Sequence, residues 1–349
     1  MTPNPASTVR NRPFDHPAAW KATDFAGKDD IAVDLAPRHL RALDDALAAL
    51  NARKPASLGD MVRDDFPLAA IADDLDDWRR ELDHGRGIVL LRGFPLERYD
   101  PDDIERLWFG LGMYFGRAVS QSVMGDLVGH VVDVAGPDSR QRAYRNSREL
   151  QLHTDRCDTV GMFCLQKAWK GGQSSYASAL AVHDEIQTTR PELIEPLWRG
   201  FHLHRFGEQP PGEPPYSPVR IPIFSERDNV TTVIMLRGYI DMAANEFDLP
   251  VSDLEWEALN LFDEIANRAE FRLDFTLEPG EATLFNNCHI LHKRTAFEDH
   301  AEPALKRHLM RLWLMDWVGR PTVDAVNAHK GPGGIRAQAG RVPYYANRK

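Results

Sequence analysis

Two side chains two residues apart, an imidazole at His153 and a carboxylate at Asp155, open the chemical reading of this sequence. In an extended segment side chains alternate between faces, so His153 and Asp155 point one way and Thr154 the other. Together they are two of the three protein ligands that a non-haem iron site needs. A distant histidine would supply the third, and open positions would be left for a cosubstrate and oxygen. The triplet has rivals, because 13 histidines and 52 acidic residues in 349 make about two such triplets by chance, so context must decide. His183-Asp-Glu185 opens a helical pattern, where positions i and i+2 do not share a face. His300-Ala-Glu302 sits in a polar loop. Only His153-Thr-Asp155 leads into an apolar extended run, VGMFCLQ.

A second chemical signal lies in KRHLMRLWLMDW. Strand alternation puts Arg307, Leu309, Arg311, Trp313 and Met315 on one face. Two arginines on a strand otherwise fit for a barrel interior are costly to bury without anionic partners. A carboxylate of 2-oxoglutarate is such a partner, since a guanidinium grips it bidentately. The competing reading is an exposed edge strand with solvated arginines.

These residues need a scaffold. Apolar spacing predicts helices from Pro37 through Leu50, over Ile71–Leu82 ending near Gly85, and from Asp100-Pro101 through Leu111. A capping box, Ser252 with Glu255, starts a further helix through Ile265. Strands are expected at Gly87–Phe94, Leu127–Val134, Val160–Gln166, Phe201–Phe206, Val219–Phe224, Val230–Leu236, Phe271–Leu277, Ala282–Phe285, His289–His292 and His308–Trp317. Many short strands with Gly/Pro turns suggest a mainly β jelly-roll barrel with helices outside. Residues 1–25 read as an extended N-terminal arm and 26–320 as a single domain with a helical N-terminal part. Residues 321–349 read as a basic, Gly-rich tail, more a surface extension than a flap over the pocket or a contact for a homo-oligomer.

The formal net charge of -10 argues against nucleic acid or an anionic membrane as the main partner, and its plain meaning is solubility. Three cysteines without framework spacing fit reduced thiols, the N-terminal stretch has no apolar signal region, and no run is long enough to span a membrane. A cytoplasmic location is expected.

The ordered set His153-x-Asp155, Gly171-Gly172-Gln173-Ser174, His292 in LHKR and Arg307 in RHLMRLWL resembles the iron(II)/2-oxoglutarate-dependent dioxygenases of the taurine dioxygenase and clavaminate synthase-like group. GRGIVLLRGFP, RPELIEPL and EPGEATLFNNCHILHKRTAFED extend the likeness over about residues 80–320. The resemblance implies a double-stranded β-helix, an iron held by His153, Asp155 and His292, and 2-oxoglutarate held by Arg307 with Ser174. It implies consumption of oxygen and release of succinate and carbon dioxide, with hydroxylation or desaturation of a small-molecule substrate on which Arg311 hints at an anionic group. It also matches Arg311 to a family arginine that faces the substrate in several members. The step from Asp155 to Ser174 is shorter than in taurine dioxygenase and that from His292 to Arg307 is longer, which leaves open which of Arg307 and Arg311 holds which carboxylate. Gln121, Tyr144, Asn146 and Asn287 flank the expected site and are candidate pocket residues, although such residues commonly bond backbone or water. His289 is a rival ligand, but three residues from His292 it faces the other side of a strand.

Two other classes stay in view. A zinc hydrolase could use the same three ligands with water in the fourth place, but has no use for Arg307 in the barrel. A non-catalytic jelly-roll binding protein would have to bury the His/Asp/His cluster without a metal.

Overall fold

Alternation of residue type along the central strands sets the architecture of the computed structural model, which describes residues 9–133 and 147–338. Among the described residues, the larger sheet runs in the order β1 (Ala32–Asp34), β2 (Ile88–Arg92), β11 (Glu281–Asn286), β5 (Thr159–Gln166), β14 (His308–Met315) and β3 (Arg117–Ala118), with β4 (Val128–Val132) also on β14. The smaller sheet is β10 (Arg272–Phe275), β7 (Ser174–Ser178) and β12 (Ile290–Arg294). Two short pairs, β6 (Lys170–Gly171) with β13 (Phe297–Glu298) and β8 (Phe224–Arg227) with β9 (Val230–Val233), complete it. The pairings are antiparallel except for β1 on β2.

Each central strand feeds two cores. On β14, Leu309 and Trp313 join Val160, Tyr176, Phe285 and Ile290 between the sheets. Met310, Leu312 and Leu314 point outward, onto Leu43, Leu75, Leu107 and Trp108 of α1 (Pro37–Arg53), α2 (Ala72–His84) and α3 (Pro101–Gly112). The outer face of the smaller sheet, through Ala177 and Leu291, is covered by α4 (Ala179–Thr189), α5 (Ile194–Arg199) and α7 (Asp253–Asn267). The expected caps form: the Asp100 carboxylate accepts from Asp103 N at 2.9 Å, and Ser252 and Glu255 make a reciprocal box. The result is a double-stranded β-helix with flanking helices.

The structure departs from the sequence reading in several places, among them β7, which was not expected as a strand. Phe201–Phe206 and Val219–Phe224 are not continuous strands but isolated bridges, Phe201 with Ile221 and His204 with Tyr216. Prolines 210, 211, 214, 215, 218 and 222 lack the N–H that a ladder needs, so the pairing cannot propagate. Two helices were not expected, α6 (Arg237–Glu246) and α8 (Asp324–Lys330). Residues 321–338 are therefore not a surface extension: Val326 and Ile335 are fully buried, and Lys330 is buried against Asp158 at 2.7 Å. The described part of the N-terminal arm is also fastened, with Trp20 Nε1 donating to Arg86 O and Phe14 N to the Asp184 carboxylate. Among the described residues no helix is long and apolar enough to cross a membrane.

Candidate active site

His292 lies on β12 and forms a two-way backbone bridge with His153, N to O at 3.0 and 3.1 Å. That bridge sets the two rings 4.2 Å apart by their centroids. The next turn of chain brings Asp155 under both: His153 Nε2 is 3.9 Å from Asp155 Oδ1, and His292 Nε2 is 3.6 Å from Oδ2. Thr154 faces away, as alternation requires. Its N–H donates to Met235 O at 2.9 Å and its hydroxyl accepts from Met235 N at 2.9 Å. The donor atoms of His153, Asp155 and His292 all lie within 4.8 Å of one another, and among the described residues this is the one such group of metal-binding side chains.

Several groups fix the orientation of these three. Gln151 O accepts from His153 Nδ1 at 2.8 Å, which turns Nε2 toward Asp155. His292 Nδ1 has no hydrogen-bond partner among the described residues, and its ring is packed on Phe285 at 4.9 Å instead. The Asp155 carboxylate accepts from Trp313 Nε1 at 2.8 Å and from Arg311 Nη1 at 3.2 Å. The Asn287 side-chain oxygen accepts from Asp155 N at 2.8 Å, while its Nδ2 donates to Asp155 O and Cys157 O at 2.8 and 2.7 Å. Gln121 accepts from Arg311 Nε at 2.8 Å and donates to Arg311 O at 2.8 Å, locking that arginine from behind.

Protonation states suit a cation. Burial alone would raise the Asp155 carboxyl, but Arg311, His292, His153 and the Trp313 N–H outweigh it and hold it below the ordinary carboxylate range. Burial, with His153 alongside, pushes His292 down to about 3. With His292 neutral at pH 7, Arg311 and Trp313 carry the stabilisation of the Asp155 anion. A pair of imidazole nitrogens and one carboxylate are the donor set that a divalent transition metal takes, and the residues present fit iron(II).

A cavity of about 220 Å³ opens beside the triad, lined also by Met162, Ser174, Tyr176, Arg294, Arg307 and Arg311. Ser174 is placed by the GGQS turn, in which Gly171 and Gly172 both take φ of +71°. Any Cβ on Gly172 would stand 3.3 Å from Arg307 Nε. Arg307 is 3% exposed, stacks over Phe297 at 5.1 Å, and has Nη1 buried without a hydrogen-bond partner among the described residues. Burial lowers it to about 10, so it remains cationic at pH 7.

Thus the structure brings together His153, Asp155, His292, Ser174, Arg307 and Arg311. It does not put Gln121 or Asn287 on the cavity wall: their amides are consumed by Arg311 and by the Asp155–Cys157 backbone, so they position rather than line. Tyr144 and Asn146 lie outside the described residues. His289 faces a different cavity, with Nε2 3.2 Å from Thr231 O. Sequence reasoning missed Arg294 and the Trp313 indole, and also a polar wall made by Gln151, Arg156 and Tyr239. Trp313 was signalled by its place on the Arg311 face. Tyr239 came from a helix that was not foreseen.

Comparison with known proteins agrees with this architecture. The sequence model of the family described as taurine catabolism dioxygenase TauD, TfdA family matches residues 52–313. The chain is 30% identical over 265 residues, 74% of it and 77% of the relative, to FR-33289 synthase of Streptomyces rubellomurinus (strain ATCC 31215). It is 27% identical over 316 residues to the taurine hydroxylase-like protein SAT17 of Stachybotrys chartarum (strain CBS 109288 / IBT 7711), covering 85% of this chain and 78% of that one. A solved asparagine oxygenase in complex with Fe(II), 2S,3S-3-hydroxyasparagine and succinate superimposes with a TM-score of 0.63 at 17% identity, over 82% of this chain and 93% of that one.

Proposed function

Because this chain belongs to the taurine catabolism dioxygenase TauD, TfdA family, we propose that it hydroxylates a small anionic metabolite at a centre built from His153, Asp155 and His292. Membership makes it an iron(II)- and 2-oxoglutarate-dependent oxygenase that uses oxygen and releases succinate and carbon dioxide. The observation that carries the residue assignment is the convergence of three donor atoms within 4.8 Å at the wall of a cavity that Arg307 and Ser174 also line. When bound there, iron(II) supplies the chemistry of oxygen activation.

The chain's own groups supply the positioning. His153 and Asp155 are presented by one extended segment and His292 by the strand bridged to it, so the ligand face is pre-formed. Arg307, buried and under-bonded, is matched to the distal carboxylate of 2-oxoglutarate, with Ser174 beside it. Arg311 is occupied with Asp155 and Gln121, which favours Arg307 over Arg311 for that task. Arg311 then acts as the counter-charge that keeps Asp155 ionised and in place. Gln151, Arg156 and Tyr239 form the wall on which the substrate rests. The name of the taurine hydroxylase-like relative points to a small charged metabolite, and the wall offers a charged pair, Arg156 with Glu208 at 3.4 Å. We assign residues 26–320 to one catalytic unit, supported by strands of both sheets interleaving from residue 32 to 315, and we place it in the cytoplasm, supported by three free, buried cysteines.

The test is anaerobic addition of iron(II) and then 2-oxoglutarate to metal-free protein while the visible spectrum is recorded. A weak band that needs both components is expected, and its absence with iron bound would overturn the reading. His153→Ala and Asp155→Ala are expected to abolish 2-oxoglutarate-dependent succinate release while leaving the circular dichroism spectrum unchanged. Arg307→Ala is expected to raise the 2-oxoglutarate requirement at least about 10-fold, the worth of a charge-assisted bond, without changing the iron requirement. Equal effects on both would make Arg307 structural.

A further inference from the structure

Arg294 is a buried cation that the assignments above leave unused. It stands two residues after His292 on β12, so both side chains take the inward face of that strand. Its cross-strand partner on β7 is Ser174, as that of His292 is Tyr176. Same-face neighbours on a strand are about 6.6 Å apart.

The donors of Arg294 are unevenly used. Nη2 donates to Arg148 O, whereas Nε and Nη1 are buried with no hydrogen-bond partner among the described residues. Phe297 carries both guanidiniums, Arg294 at 4.6 Å and Arg307 at 5.1 Å from the ring centroid. Two buried positive charges therefore share one aromatic ring and both line the cavity of the triad. Burial and the charge of Arg307 lower Arg294 to about 9, with Asp133 and Asp299 acting the other way. Under-bonded buried cations that repel each other are expensive unless an anion completes them.

We infer that Arg294 and Arg307 together grip the distal carboxylate of 2-oxoglutarate above Ser174, and that this pair makes the site select a dicarboxylate 2-oxo acid. The inference rests on the oxygenase reading of the preceding section. Arg307 approaches from the start of β14 and Arg294 from β12, so the clamp spans both sheets. A lone guanidinium would hold the carboxylate from one side, and the second holds it from the other. Pyruvate, which keeps the chelating 2-oxo acid but lacks the second carboxylate, offers the pair nothing.

Calorimetric titration of the iron(II)-loaded protein under anaerobic conditions, with 2-oxoglutarate and separately with pyruvate, tests this. Arg294→Gln is expected to weaken 2-oxoglutarate binding roughly 10- to 100-fold, as the loss of a bond to a charged group does, while pyruvate binding is unchanged. Arg294→Lys, which keeps the charge without the fork, is expected to fall between wild type and Arg294→Gln. In the cycle with Arg307→Gln the two losses are expected to be less than additive, as for two groups on one carboxylate. Wild-type affinity in Arg294→Gln, or equal loss for both ligands, would overturn the clamp and leave Arg294 as the anchor of Arg148. Should Arg294→Gln not fold, wild-type affinity in Arg294→Lys overturns it equally. If wild-type protein binds iron but neither 2-oxo acid, the oxygenase reading itself fails, which is a different result from failure of the clamp.

Discussion

Asp155 is the side chain on which the buried polar groups of this site converge. Trp313, Arg311 and the amide of Asn287 all spend hydrogen bonds on it or on its backbone. Removing one such outer partner typically costs 10–100-fold in metal affinity. Trp313→Phe, which removes the N–H and replaces the indole with a smaller ring, is expected to weaken iron(II) binding by about that factor, measured by competition with a chelator, and to lower the melting temperature through the cavity it leaves in the core. Asn287→Ala loses three hydrogen bonds to the Asp155–Cys157 segment and is expected to lower the melting temperature as well. At this scale the ligands were legible and their supports were not. The alternation of His153 and Asp155 about Thr154 is a local backbone property, readable from three residues. Whether the amides of Gln121 and Asn287 meet a ligand or a carbonyl depends on segments 190 and 132 residues away, and sequence proximity to the site does not decide it.

Among the elements, the GGQS turn and α8 each make a sharp expectation. Gly172 takes a left-handed φ and a Cβ there would crowd Arg307, so Gly172→Ala combines a backbone cost of about 1–2 kcal/mol with displacement of the guanidinium. Weaker binding of 2-oxoglutarate, with iron binding retained, is the outcome to look for in a titration. On α8, Lys330 Nζ meets Asp158 Oδ1 at 2.7 Å and Cys288 Sγ at 3.2 Å in full burial. Lys330→Met strands the Asp158 carboxylate and is expected to cost about 3–5 kcal/mol by chemical denaturation, part of which Asp158→Asn should restore in the double variant. Periodicity revealed the long helices and the barrel strands because each buries a full stripe. It failed at α8, seven residues whose burial comes from tertiary docking, and over residues 201–224, where apolar runs look strand-like but proline removes the donors.

For the molecule as a whole, burial of histidines sets the response to acid. Burial holds His289 and His329 well below the ordinary imidazole value, so both are neutral when folded and take up protons near pH 6.5 when unfolded. The unfolded state binds more protons below that pH, so this stability is complete above about 6.5 and is lost as pH falls, at up to roughly 2.7 kcal/mol per unit for two sites. Asp263, raised to about 6 by burial, opposes this with a single proton over about pH 4–6. Metal-free protein is therefore expected to show a falling unfolding midpoint from pH 7 to 5.5, and a flat profile would contradict it. One more consequence lies in β14, which pairs with β5, β3 and β4 in the larger sheet yet follows every other strand among the described residues. As the chain leaves the ribosome, β5 waits with one edge open until residues 308–315 emerge. Loading of iron with all its supports in place must therefore wait for β14, and a nascent chain halted short of β14 presents the cell with an unpaired strand edge of the kind that seeds aggregation.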